Sequence, residues 1–133
     1  MGGQMKPYIA AGLVALGLTV AMGGTAQSGS EKPMSQDEVI ALLSDHTEKH
    51  PNGAGYYAPD GTFLAVSRGQ KVSGKWRVNT DGVICLKVEA WFGNNEKCTW
   101  KYLDDGDDVV TYNQSRNRTV RIPKNSYQKG NKL

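Results

Sequence analysis

With 133 residues, 38% of them hydrophobic, the chain is sized for one domain and not for two. Its 16 Lys and Arg against 13 Asp and Glu leave a net charge of +3, too small to point to a nucleic-acid partner. Met1–Ala26 reads as a secretory signal peptide. Lys6 supplies the positive start, Tyr8 to Met22 is apolar and uncharged, and Gly24-Thr25-Ala26 offers small residues for cleavage before Gln27. The apolar run is shorter than the roughly 20 residues that span a bilayer, so no transmembrane segment is expected after cleavage. The location expected from this start is the bacterial periplasm, or full secretion.

Residues 27–34 are polar and read as a flexible lead-in. Ser35 with Glu38 three positions on is a capping-box pattern. Val39, Ile40, Leu42 and Leu43 follow at helical spacing, which predicts a short helix ending near Ser44 to Glu48, before Pro51-Asn52-Gly53. Strand patterns then take over at Tyr56–Ala58, Thr62–Val66, Gly74–Val78, Val83–Glu89, Glu96–Leu103, Val109–Tyr112 and Arg118–Ile122. Turn signals separate them at Asp60-Gly61, Asp81-Gly82, Gly93-Asn94, Gly106 and Asn117. Residues 123–133 read as a basic polar tail.

The fold class expected is mainly β (α+β). A short N-terminal helix packs on a small antiparallel meander, rolled into a lipocalin-like barrel of about seven strands over residues 35–122. Cys85 and Cys98 are the two cysteines, and an even count in an exported chain favours a disulfide between them. Cys85 alternates out of phase with Ile84, Leu86 and Val88, so either a bulge intervenes or the bond lies on the less buried face.

The order of these elements resembles the DUF995-like group, small exported bacterial proteins of uncharacterised function. The resemblance rests on Tyr57 with Asp60 and Gly61, then Gly74 and Trp76, then Asp81, Gly82 and Cys85, then Cys98 and Gly106. It covers about residues 36–112, and it departs after the helix, where Ser44-Asp45-His46-Thr47 replaces a Gly-Asn-Thr stretch. The resemblance implies a compact, disulfide-linked β domain and supplies no reaction.

The search for chemistry yields no catalytic set. His46 and His50 are the only histidines, four apart, and even with Asp45 or Glu48 they fall short of a catalytic zinc site with three firm ligands. They read as solvated residues at a helix end. The acids Asp104, Asp105, Asp107 and Asp108 lack the closing Glu of a calcium loop. Both cysteines are expected to be paired, and no serine sits in a nucleophile elbow. No cofactor, metal or enzymatic activity is expected.

The expected function is therefore that of a non-enzymatic exported protein that binds an envelope or extracellular protein, one version being an inhibitor. Trp91 and Phe92 are the candidate contacts, placed at a hairpin tip where exposed aromatics need a partner. Arg116, Arg118, Arg121 and Lys124 form a basic end suited to an anionic surface. The alternative is a carrier of a small hydrophobic molecule or lipid, with the barrel interior as its pocket and Tyr57, Trp76 and Trp100 as the lining.

Overall fold

The chain is described here from a computed structural model over residues 31–133. The expected signal peptide, and residues 27–30 of the lead-in, lie outside that range. Among the described residues, ten strands form one antiparallel sheet. They are β1 (Lys32–Pro33), β2 (His46–His50), β3 (Gly53–Tyr57), β4 (Thr62–Ser67), β5 (Gln70–Val78), β6 (Ile84–Lys87), β7 (Lys97–Asp105), β8 (Asp108–Asn113), β9 (Arg118–Pro123) and β10 (Gln128–Lys129). Helix α1 spans Gln36–Leu43, the one-turn α2 spans Glu89–Phe92, and a 3-10 turn covers Lys124–Ser126.

From β2 to β9 each strand pairs with the next, β10 adds to the free side of β2, and β1 adds to β7. This is the mainly β meander expected, with three strands more than the expected seven. The extra ones, β1, β2 and β10, lack the alternating apolar residues by which strands are recognised. The hydrogen-bonded path has two ends, β9 and β10, so the sheet is a curled half-barrel and not a closed lipocalin-like barrel.

Helix α1 begins as its sequence dictates. The Glu38 N–H donates to Ser35 Oγ at 3.2 Å, and the Ser35 N–H donates back to Glu38 Oε1 at 2.8 Å. Val39 and Leu43, four apart, are completely buried, and removing each from water stabilises the fold by roughly 1.5–3 kcal/mol. The helix stops at Leu43, earlier than expected, because the next residues pair with β3. His46 and His50 therefore lie at the two ends of β2 and not at a helix end, half-buried, and Thr47 and Glu48 between them are buried.

A meander reverses direction at every link, so its turns alternate between two ends. The 58–61, 79–83 and 106–107 turns share one end with α1, whose last turn is tied in through a Ser44–Tyr57 bridge. Here Met34, Val39, Leu43, Trp76, Val78 and Val109 belong to one packed core. The Asn79 side chain accepts from the N–H groups of Asp81 and Val83. Gly82 must be glycine: its φ is +78°, and a Cβ would strike the Met34 carbonyl oxygen. The opposite end carries the 51–52, 68–69 and 114–117 turns and α2. Arg68 and Gly69 both have positive φ, at 51° and 81°, as a two-residue hairpin requires.

Cys85 and Cys98 form a disulfide across β6 and β7. The phase conflict is resolved by a register shift between Ile84, opposite Trp100, and Cys85, opposite Cys98. Ile84, Cys85 and Leu86 are consequently all buried. The segment expected as a polar tail is also folded. After β9 the 3-10 turn carries the chain across the gap, and β10 pairs with Thr47 and His46. Thr47 Oγ1 donates to the Gly130 carbonyl at 2.7 Å and accepts from the Lys132 N–H at 2.9 Å.

Candidate functional site

The inner face of the half-barrel is not filled. A cleft of about 1000 Å³ enters it from the end opposite α1. Its wall is aromatic. Phe63 of β4 meets Trp91 edge-on at 6.0 Å, Trp91 meets Phe92 at 6.0 Å, and Phe92 meets Trp100 at 6.4 Å. Gly55 of β3 leaves room for this wall, since a Cβ there would lie 2.9 Å from the Phe63 ring.

At the depth of the cleft lies a polar knot built on Glu48, which is only 1% exposed. Removing a carboxylate from water is costly unless donors replace the water. Here four do. Oε1 accepts from Tyr57 Oη at 3.0 Å and pairs with His50 Nε2 at 2.7 Å. Oε2 accepts from Tyr102 Oη at 2.6 Å and from Tyr127 Oη at 2.7 Å. These bonds use the acceptor positions of an ionised carboxylate. Burial pushes the Glu48 pKa up, but the bond and charge of His50, with the Tyr102 and Tyr127 hydroxyls, outweigh it and leave the pKa lowered. Burial pulls His50 down, yet the bond to Glu48 and its charge leave the imidazole raised, against the opposing charge of Arg118. Desolvation, then the Glu48 charge, pushes Tyr57, Tyr102 and Tyr127 upward, so all three stay protonated as donors.

The mouth of the cleft is basic. His50, Arg68, Lys97, Arg116 and Arg118 line it, and Glu48 is the single acid among the lining residues. Among the described residues, none of those three arginines nor Lys97 has an acidic partner within 4.0 Å.

The expected lining residues divide. Tyr57 and Trp100 face the cleft, whereas Trp76 belongs to the core at the α1 end, its Nε1 donating to the Ala58 carbonyl at 2.8 Å. Trp91 and Phe92 sit on α2, within the connection of the β6–β7 hairpin, and both line the cleft mouth. The basic end divides as well. Arg116 and Arg118 reach the cleft, but Arg121 is held by Asp105 at 2.6 Å and Asp108 at 3.2 Å, and Lys124 by Asp104 at 2.8 Å. The acidic turn thus serves as a set of ion-pair partners. His46 Nδ1 lies 2.8 Å from the Ser44 carbonyl. The group Cys85, Glu96 and Cys98 has the compactness of a metal site, but its two sulfurs are joined, and Glu96 is paired with Arg77 at 2.7 Å.

Sequence reasoning missed the centre of the site. Glu48 drew notice only beside the histidines, and Tyr127 not at all. A strand reading of 46–50 puts Glu48 and His50 on one face by period two, which was the available signal.

Fold and site together define a small curled-sheet protein with a deep cleft between an aromatic wall and a basic mouth. Over residues 11–122 the chain matches the family described as proteins of unknown function, DUF995, and it belongs to that family. No curated protein and no solved structure matches it. Among the described residues, no helix is long and apolar enough to cross a membrane.

Proposed function

We propose that this protein binds a small molecule inside its half-barrel and that binding, not catalysis, is its task. The observation that carries this reading is the cleft of about 1000 Å³ with a continuous aromatic wall of Phe63, Trp91, Phe92 and Trp100. That volume is at the upper end of the range of small-molecule sites. The carrier reading is favoured over an inhibitor loop because Trp91 and Phe92 already pack on neighbouring rings. A protein partner is the second reading, favoured by the 40% exposure of Trp91. A catalytic role for Glu48 is disfavoured, because its acceptor positions are taken. We place the protein in the periplasm or outside the cell, on the signal-like start and the Cys85–Cys98 disulfide.

The test is a titration of the purified protein, disulfide intact, with the neutral aromatic dye phenylnaphthylamine, followed by fluorescence. Saturable one-to-one binding, weakened several-fold by Phe92→Ala, is expected. A linear, unsaturable signal refutes the reading.

A further inference from the structure

We infer that the ligand is an organic anion: an aromatic or apolar body seated on the ring wall, with its negative head held at the mouth by Arg116 and Arg118. The inference rests on the ligand-binding reading above and adds the chemical class. Three observations carry it. First, the charge of the lining is one-sided. Five basic side chains, His50, Arg68, Lys97, Arg116 and Arg118, surround the opening against the single acid Glu48. Second, Glu48 is no counter-ion for a cationic ligand. It is buried and already accepts from three tyrosines and His50, so an ammonium group would have to displace one of them.

Third, the arginines at the mouth are unspent. Elsewhere in the chain the exposed arginines Arg77 and Arg121 meet carboxylates at 2.7 and 2.6 Å. Among the described residues, Arg116 and Arg118 have no such partner within 4.0 Å; Arg116 lies in the turn between β8 and β9, and Arg118 opens β9. Two guanidinium groups present planar donor forks that suit a carboxylate. The aromatic wall begins nearby on the same sheet, with Trp100 opposite Asn113 and Asn113 opposite Arg118, so a ligand holding both features has an apolar body and one anionic end.

The experiment compares three ligands with the same ring and different heads: naphthoate, naphthylmethanol and naphthylmethylamine. Each is titrated into the purified protein at low ionic strength by calorimetry. The expected result is that naphthoate binds at least about tenfold tighter than the alcohol, the margin of a charge-assisted hydrogen bond, and that the amine binds weakest. Arg116→Gln with Arg118→Gln should remove the preference for naphthoate over the alcohol. Both side chains are exposed, so the fold should tolerate the exchange. Equal binding of acid and alcohol, or tighter binding of the amine, overturns this inference while the ligand-binding reading stands. Failure of all three to bind saturably overturns both.

Discussion

Tyr127 donates to Glu48 at 2.7 Å across 79 residues of chain, and so ties the C-terminal segment to the depth of the cleft. The bond runs from β2, which carries Glu48, to the residue just before β10, so the knot also helps to hold β10 on β2. Its strength follows from burial. A carboxylate with four donors is stable in the interior, and each donor removed costs it stability.

Glu48→Gln should therefore destabilise the protein by about 3 kcal/mol, because an amide cannot accept from all four donors and leaves hydroxyls unpaired. Tyr127→Phe removes one donor and should cost about 1–2 kcal/mol. Urea unfolding followed by circular dichroism measures both. Equal, near-zero effects would mean that the knot contributes nothing to stability.

The ion pair of Glu48 and His50 makes stability depend on pH, with opposite signs on the two sides. The folded pKa of His50 is raised above the ordinary 6.5, so its contribution is complete below that value and lost as pH rises through the folded pKa. The folded pKa of Glu48 is lowered below the ordinary 4.5, so its contribution is complete above 4.5 and lost as pH falls through the folded pKa. Stability from this pair should be greatest between about pH 4.5 and 6.5, and His50→Gln should flatten the alkaline side. Urea midpoints across a pH series give the answer.

The Cys85–Cys98 disulfide closes a loop with a sequence separation of 13. For a loop of that size the chain-entropy estimate is about 3 kcal/mol. The double variant Cys85→Ala, Cys98→Ala should lose about that much stability, and the reduced wild type should match it. Thermal unfolding with and without reductant tests the expectation.

Trp91 reports on the cleft. It is 40% exposed and sits edge-on to Phe63 and Phe92 at the mouth. Naphthoate that enters should change tryptophan emission, and Trp91→Phe should abolish most of the change. A full response in that variant would place the ligand away from the mouth.

Local features were legible where they depend on neighbours in sequence. Ser35 and Glu38 cap α1 as their spacing requires, and Asp60 bonds the Thr62 N–H as an Asp-Gly turn predicts. The out-of-phase position of Cys85 left two readings, a bulge or a bond on the less buried face, and the register shift beside Ile84 decides for the first. β2 was not legible. His46-Thr47-Glu48-Lys49-His50 has no apolar alternation, and it is a strand because β3 and β10 hydrogen-bond to it on both sides.

By itself, then, the sequence determined the helix start, the meander of strands and turns and the cysteine pair, because capping, turn conformation and period-two alternation act over a few residues. Tertiary structure alone decided that Glu48, Tyr57, Tyr102 and Tyr127 share one buried knot, that Trp76 fills the core while Trp91 and Phe92 line the cleft, and that the tail is a strand. The curl of the sheet sets these distances, and no local pattern records which side chains meet across its interior.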